Sequence, residues 1–238
     1  MSNDNDESES LMQGTYKNHQ IWVPFADETR KFYERSYYGK LYNTDKKEII
    51  YDFQMIEEDE DSDGMVIMDK SKIPQDRTPE YIVFHPLEAQ YLIEREKLIV
   101  KTEENHSVSF NELIELSMDV DPKFWQKYIV YRDIRHRGYI IRVGYGGKAD
   151  FRVYQRGARF GKDSAKFVYF IIQDGIPVAL NDLDAVVKQV IGNRKKLILA
   201  IFDKLGDSTF YRLEDFEFRS IGTFDEKWNI PAEFKPHN

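Results

Sequence analysis

The sequence predicts an α/β (α+β) protein of two parts, a small N-terminal mixed α/β domain over residues 16–120 and a C-terminal domain over residues 121–238. Three observations predict it. Short β-rich runs alternate with amphipathic helical segments along the whole chain. Hydrophobic residues make up 41% of the chain and aromatic residues 14%, which is enough for a real core in each part. Pro122 stands where a new helix can begin, and therefore marks the boundary near residue 120.

In the N-terminal part, residues 1–15 are polar and acidic, and we expect them to be disordered. Strands are predicted at Gln20–Pro24, Glu48–Met55, Met65–Met68 and Leu98–Lys101, and helices at Thr29–Tyr38, Pro86–Lys97 and Ser109–Ser117. Ser109 and Glu112 have the spacing of a capping box, which favours a helix start there. An acidic insertion near residues 57–79 has no apolar periodicity and is predicted to be a solvated loop.

In the C-terminal part, the predicted order is helix, three strands, helix and two strands. The predicted elements are Phe124–Arg137, Tyr139–Val143, Phe151–Tyr154, Phe167–Gln173, Asn181–Ile191, Leu197–Phe202 and Ser208–Leu213. Gly138 is expected to end the first helix, and Asn181 to cap the second. This order predicts a small mixed sheet flanked by two helices.

Composition excludes several classes of protein. The chain has no cysteine, so disulfides and thiolate metal sites are excluded. Met1–Ser10 lacks the apolar segment of a signal peptide, and no apolar run reaches the ~18 residues of a membrane span. We therefore expect a cytoplasmic protein without a membrane partner.

The charge is distributed unevenly. The formal net charge is −8, which by itself argues against a nucleic-acid ligand. Much of the acid, however, lies in residues 1–10 and 57–64, whereas Lys and Arg outnumber Asp and Glu by more than two to one between residues 123 and 196. Because binding depends on the local field, a basic C-terminal domain is compatible with a phosphate-bearing partner.

Three segments of the C-terminal half carry a family resemblance. They are YIVYRDIRHRGYIIRV at 128–143, DFRVYQRG at 150–157 and RKKLILAIFDKLGD at 194–207. Together and in this order they resemble the archaeal tRNA-splicing endonucleases, and PLEAQYLIEREKLIV is similar to a helix–strand unit of the family's N-terminal domain. The resemblance covers roughly residues 80–216 and implies a restriction-endonuclease-like C-terminal domain.

The resemblance also implies a reaction. Members cleave precursor tRNA at bulge–helix–bulge intron boundaries without a metal or other cofactor, leaving a 2′,3′-cyclic phosphate and a 5′-hydroxyl. This chemistry needs a base for the 2′-hydroxyl, an acid for the departing 5′-oxygen and positive charge near the phosphorane. In the family, these roles belong to tyrosine, histidine and lysine.

Carried over to this chain, the tyrosine is Tyr154 and the lysine is Lys195, forty-one residues later. Lys196 is the alternative if the alignment shifts by one, and is otherwise an RNA contact. The position of the histidine falls in KDSAK, residues 162–166, and is occupied by Ser164. A serine hydroxyl has no accessible pKa near neutrality, so it cannot serve as an efficient general acid.

Three interpretations of Ser164 remain open. It is a natural loss in a structural subunit, an engineered replacement that traps substrate, or a misalignment. Tyr154 and Lys195 are both retained, which favours a recent or engineered loss. None of the five histidines lies near this segment in the sequence, and His136 at a helix end fits a surface role.

The resemblance further implies contacts with RNA and with another subunit. Lys188 occupies the place of an arginine that packs on a bulge nucleotide, and Arg212 lies near a second such arginine; a lysine cannot stack as a guanidinium does. Asp203 and Asp207 bracket DKLGD, which reads both as a hairpin turn and as the family's acidic loop that inserts into a partner. We therefore expect precursor tRNA and either self-association or a related subunit, through this loop and the C-terminal domain, as partners.

Two other functions compete with this interpretation of the sequence. The first is a non-catalytic assembly subunit with the same fold, whose partner chain carries out the chemistry. The second is a metal-dependent DNA nuclease, which needs an acidic pair near a lysine on one strand. Asp150, followed by Phe151 and Arg152, offers no such pair. Cleavage in EDTA discriminates between the metal-dependent and metal-independent reactions.

Overall fold

A computed structural model describes residues 11–44, 48–51, 79–144, 149–158, 163–203 and 206–213. The N-terminal half contains β1 (Met12–Lys17), β2 (Gln20–Pro24), α1 (Asp27–Ser36), β3 (Lys40–Asn43), β4 (Glu48–Tyr51), β5 (Tyr81–Phe84), α2 (Pro86–Glu94), β6 (Leu98–Thr102), β7 (Ser107–Val108) and α3 (Phe110–Met118). The C-terminal half contains α4 (Phe124–His136), β8 (Ile140–Val143), β9 (Phe151–Tyr154), β10 (Phe167–Gln173), α5 (Leu180–Gly192), β11 (Lys196–Phe202) and β12 (Ser208–Leu213).

The N-terminal half is built on a mixed sheet with strand order β4-β3-β5-β2-β1-β6-β7. Only β1 and β6 run parallel; the other described pairs are antiparallel. Helix α2 contacts this sheet, α3 and α4, and is therefore buried along most of its length. The buried residues of α2 correspondingly lie on several faces of the helix and not on a single stripe.

Two of the three helices in this half, α2 and α3, begin with an N-cap side chain that accepts a backbone N–H. Ser109 Oγ accepts the Glu112 N–H at 3.3 Å, and Glu112 Oε2 accepts the Ser109 N–H at 2.7 Å, so the predicted capping box is confirmed. His85 caps α2 in the same way, with its Nδ1 accepting the Leu87 N–H at 3.2 Å. Pro86 follows at the first helical position, where its missing N–H costs nothing.

The C-terminal sheet has the order β12-β11-β10-β9-β8, with β10 and β11 parallel and the other pairs antiparallel. Helix α5 connects the two parallel strands. Val186 and Val190 of α5 pack with Val168 and Leu197 on one face of the sheet. The other face, with residues such as Ile171, packs on α4. The prediction of a mixed sheet flanked by two helices is confirmed.

The two halves share one hydrophobic core. A single cluster of buried residues runs from Ile21 and Leu92 in the N-terminal half to Tyr131 and Phe151 in the C-terminal half. Next to the start of β9, Lys127 of α4 pairs with Asp121 at 2.8 Å and with Asp150 at 3.5 Å. Burial raises the pKa of the Asp150 carboxyl, and its hydrogen bond from the Ile171 N–H acts against that shift.

A sharp corner between α1 and β3 contacts the C-terminal half. Gly39, at φ +72°, could not carry a side chain, because an added Cβ would lie 2.6 Å from Ile82 Cγ2. Its carbonyl oxygen accepts a hydrogen bond from Arg142 Nη1 at 2.8 Å. The neighbouring Tyr38 ring lies 4.0 Å below the Arg135 guanidinium, whose Nε also donates to the Tyr38 hydroxyl at 2.9 Å. Burial raises the pKa of Tyr38 to about 12, although Arg135 acts in the opposite direction.

Several predictions need correction. Residues 12–15 are not disordered, since they belong to β1, which pairs in parallel with β6 and buries Met12. Strands β3, β5 and β7 were not predicted. Helix α5 begins one residue earlier than expected and its N-cap is Ala179, so Asn181 lies inside the helix and does not cap it. Residues 1–10, the Met65–Met68 strand, residues 57–78 of the acidic insertion and the predicted end of β4 beyond Tyr51 lie outside the described residues. Within the described part of the chain, no helix is long and apolar enough to cross a membrane.

Candidate active site

Tyr154 is the last residue of β9, a central strand of the C-terminal sheet. All four residues of this strand are buried, because β8 and β10 flank it and helices cover the sheet. Tyr154 is 1% exposed and forms a small cluster with Ile140, Ala158 and Ala165. Its Cα pairs across the sheet with that of Ile140. The sheet therefore fixes the position of the tyrosine backbone.

A polar pocket of about 670 Å³ lies beside this cluster. Its walls come from the turn after β9, the segment before β10 and the end of α5. The lining residues are Gln155, Arg156, Gly157, Ala158, Asp163, Ser164, Ala165, Lys166, Asn193, Arg194 and Lys195. Four of them are Lys or Arg and one is Asp, so the pocket suits an anion such as a phosphodiester.

The end of α5 determines where Lys195 lies. The Lys195 N–H donates to the Val190 carbonyl at 3.0 Å, a six-to-one bond that closes the helix. Arg194 adopts the left-handed conformation at φ +53° that this closure requires. The chain then turns directly into β11. Lys195 consequently lies at the junction of helix and strand, in the pocket wall, with only 9% of its surface exposed.

Ser164 lies on the segment that leads into β10. Lys166, two residues later, joins neighbouring strands: its N–H donates to the Val153 carbonyl at 3.1 Å, and its carbonyl accepts the Lys196 N–H at 3.0 Å. These bonds hold the exposed Ser164 in the pocket wall together with Lys195. Tyr154 does not line the pocket; it lies behind the lining, in contact with the cluster to which Ala158 and Ala165 belong.

Both halves of the chain match known protein families. Residues 124–210 match the family described as tRNA intron endonuclease, catalytic C-terminal domain, and residues 12–114 match its N-terminal domain. The chain is 34% identical over 132 residues to the tRNA-splicing endonuclease of Thermococcus onnurineus (strain NA1), an alignment that covers 56% of this chain and 75% of that protein. This chain belongs to the tRNA-splicing endonuclease family.

Two further members of the family are also similar in sequence to this chain. The tRNA-splicing endonuclease of Methanococcus vannielii is 30% identical over 156 residues, which cover 63% of this chain and 88% of that protein. That of Methanococcoides burtonii is 38% identical over 125 residues, which cover 52% of this chain but only 34% of that longer protein. The predicted family and the two-part α/β fold are thus confirmed.

The RNA-binding residues predicted for this chain are spread over three places. Lys196 is exposed at the start of β11, directly after Lys195. Lys188 lies on the surface of α5, where its Nζ is 2.7 Å from Asp184 Oδ2. Arg212 lines a second, smaller concavity of about 320 Å³. The other residues of that concavity are Ile134, Arg137, Tyr139, Arg156, Phe167, Tyr169, Ile198 and Phe210.

The acidic loop of the chain forms a turn between β11 and β12. The Asp203 N–H donates to the Asp207 carbonyl at 3.0 Å, and the Asp207 N–H donates to Asp203 Oδ1 at 2.9 Å. Gly206 has the positive φ of +93° expected from the sequence. One oxygen of the Asp203 carboxylate thus holds the turn in shape.

Some features of the site were not predicted from the sequence. Arg156 and Arg194 add two cations to the pocket, and the RG that follows Tyr154 was the available signal for the first of them. The burial of Tyr154 had no sequence signal of its own, because a strand-end tyrosine is found at both surface and core positions. Among the described residues, no group of three or more His, Asp or Glu side chains could hold a metal ion.

Proposed function

We propose that this chain is a tRNA-splicing endonuclease subunit that recognises precursor tRNA at bulge–helix–bulge intron boundaries. The reaction of its catalytic site is metal-independent and leaves a 2′,3′-cyclic phosphate and a 5′-hydroxyl. The observation that carries this proposal is the basic pocket in which Ser164 and Lys195 lie together beside Tyr154. The pocket lies within the residues that match the catalytic domain of the family.

The pocket supports two of the three chemical roles. Attack of the 2′-hydroxyl on the adjacent phosphorus gives a phosphorane with an additional negative charge, which Lys195 would stabilise. Because Lys195 is mostly buried, its interaction with that charge is screened less than in bulk water. Tyr154, in its phenolate form, would accept the proton of the 2′-hydroxyl and become the neutral phenol. Its phenol has to reach the pocket when RNA binds, since catalytic hydrogen bonds often form only in the substrate complex.

The third role has no suitable residue at its expected position. The 5′-oxygen leaves as an alkoxide unless an acid protonates it, and Ser164 cannot supply that proton near neutral pH. Lys166 and Arg156 in the same pocket stabilise negative charge, but the arginine does not release a proton near neutrality. The chain as it stands is therefore expected to bind its RNA and to cleave it slowly or not at all.

The absence of a suitable acid at Ser164 also favours a second candidate function, that of a structural subunit. In that case this chain shares the fold and the RNA surface, and a related partner chain supplies the complete catalytic pocket. Self-association and association with a related subunit both fit the acidic turn at Asp203–Asp207, which carries two carboxylates next to an edge strand. A partner with a basic groove would be complementary to it.

The test is cleavage of a bulge–helix–bulge RNA in the presence of EDTA, with analysis of both product ends. For the proposed function, the Ser164→His variant gives a cyclic phosphate and a 5′-hydroxyl without added metal. A Ser164→Gln variant is the matched control, because it adds similar bulk without a titrating group. Products with a 5′-phosphate, or cleavage that requires Mg²⁺, would contradict the proposal. If cleavage appears only when a related active chain is added, the structural-subunit function is correct.

A further inference from the structure

Tyr37 has a backbone conformation that bulky residues rarely adopt. It follows α1, its N–H donates to the Tyr33 carbonyl at 3.3 Å, and its φ and ψ are +59° and +31°. This is the left-handed region, where glycine or asparagine normally ends a helix. A tyrosine held there is strained, and such strain persists only where the surrounding structure enforces it.

The Tyr37 side chain contacts residues of the C-terminal half. It packs against the cluster formed by Ile140, Tyr154, Ala158 and Ala165, all of which belong to the C-terminal half. Ala158 and Ala165 are also part of the pocket wall. An aromatic ring from the N-terminal half therefore contributes to the packing behind the candidate catalytic pocket, on the cluster that contains the candidate base.

Four contacts to the residues on either side of Tyr37 hold the corner in place. The Arg135 guanidinium stacks on Tyr38 and donates from Nη2 to the Ser36 carbonyl at 3.3 Å. Gly39 is held from both sides, because its carbonyl accepts from Arg142 and its N–H donates to Glu88 Oε1 at 3.1 Å. Tyr37, between these anchors, has little freedom to withdraw from the cluster.

We propose that Tyr37 is a positioning residue for Tyr154. Its ring packs on the cluster around the phenol of Tyr154 and limits the orientations that this phenol can adopt toward the pocket. The inference rests on the proposed function for its catalytic consequence, but not for the packing itself. It makes the N-terminal half a component of the active site and not only a module for assembly.

The conformation of Tyr37 makes a sharp test possible. Replacing Tyr37 with glycine removes the ring and also relieves the left-handed strain, so loss of folding is not the expected result. Replacing it with phenylalanine keeps the ring. Tyr16→Leu is the matched control, since Tyr16 is also a half-buried tyrosine of the N-terminal half but packs against the main core.

The experiment uses the full chain labelled at the tyrosine Cζ with ¹³C, with the Tyr154 signal assigned through Tyr154→Phe. We expect Tyr37→Gly to shift or broaden the Tyr154 signal, and Tyr37→Phe and Tyr16→Leu to leave it in place. In the Ser164→His background, Tyr37→Gly should lower kcat about tenfold to a hundredfold, because a displacement of about 1 Å can cost that much. The affinity for the RNA should change less than about twofold.

Two results would overturn the inference: a Tyr154 signal that Tyr37→Gly leaves unchanged, or a shifted signal with an unchanged kcat. The proposed function fails in a different way. If Tyr154→Phe cleaves as fast as its parent in the Ser164→His background, Tyr154 is not the base, whatever its signal shows. The two failures are thus distinguished by different variants.

Discussion

Arg142 Nη1 lies 3.1 Å from Glu88 Oε1, and both side chains are almost completely buried, at 4% and 5% exposure. Arg142 belongs to β8, beside the strand β9 that carries Tyr154, whereas Glu88 belongs to α2 of the N-terminal half. Glu88 also accepts the N–H groups of Gly39 and His85. One buried carboxylate thus connects the N-terminal helix, the corner after α1 and the C-terminal sheet.

Removing the arginine should destabilise the protein strongly. In Arg142→Met, Glu88 remains buried without its cationic partner, and we expect the free energy of unfolding to fall by about 3–5 kcal/mol. The matched control is Arg132→Met, which breaks the more exposed pair with Glu94 and should cost less than about 1 kcal/mol. Urea unfolding followed by circular dichroism measures both values. Similar losses for the two variants would contradict a buried ionic connection.

His85 should make the protein sensitive to acid. Burial, with Lys127 and Lys40 nearby, lowers the pKa of His85 from 6.5 to about 4. The unfolded chain therefore takes up a proton near pH 6.5, whereas the folded chain does so only near pH 4. Above pH 6.5, the neutral His85 makes its full contribution to the free energy of unfolding. This contribution declines by roughly 2–3 kcal/mol as the pH falls from 6.5 to 4, and it is constant below pH 4.

The measurement is urea unfolding at several pH values, for the parent chain and for His85→Asn. Asparagine keeps an acceptor for the Leu87 N–H but does not titrate, so the decline between pH 6.5 and 4 should become shallower. The free energy of unfolding of the variant, relative to that of the parent, should therefore be higher at pH 4.5 than at pH 7.5. An identical pH profile for both chains would show that His85 is not the group responsible.

The acidic turn should take part in assembly. We expect Asp203→Lys/Asp207→Lys to weaken association, because two carboxylates that would face a basic groove change sign. The effect should be larger at low salt, where charges are screened less. Asp203→Asn/Asp207→Asn keeps side chains that can form the turn, and separates loss of charge from loss of shape. The readout is the molecular mass in solution across salt concentrations. If the parent chain is a monomer, or if the charge-reversed variant assembles equally well, the loop is only a turn and not an assembly contact.

The sequence predicts the elements whose signal is local. Ser109 and Glu112 are three residues apart and form their capping box as expected. Strand β1 has a weak local signal and depends on pairing with β6, more than eighty residues later in the chain. Its Gly14 is required by close packing, since an added Cβ would lie 2.6 Å from Ile21 Cγ2, and this contact is invisible in the sequence.

In the candidate site, too, some features could be predicted from the sequence and others depend on long-range contacts. The spacing of Tyr154, Ser164 and Lys195 was available from the family pattern, and Ser164 and Lys195 do line one pocket. The contribution of Tyr37 was not available, because it arises from a left-handed backbone at a helix end and from packing between distant parts of the chain. Long-range contacts of this kind have no periodicity that a sequence would reveal.

Ser164→His tests the central claim, that the pocket lacks only its acid. The variant and the Ser164→Gln control are assayed as the assembled protein, with a bulge–helix–bulge RNA, in EDTA, from pH 5 to 9. The account predicts that Ser164→His cleaves about 10²–10⁴ times faster than the parent chain, with a rate that declines on the basic side as the imidazolium loses its proton. The Ser164→Gln control should remain as slow as the parent. A Ser164→His variant no faster than the parent at any pH would contradict the claim.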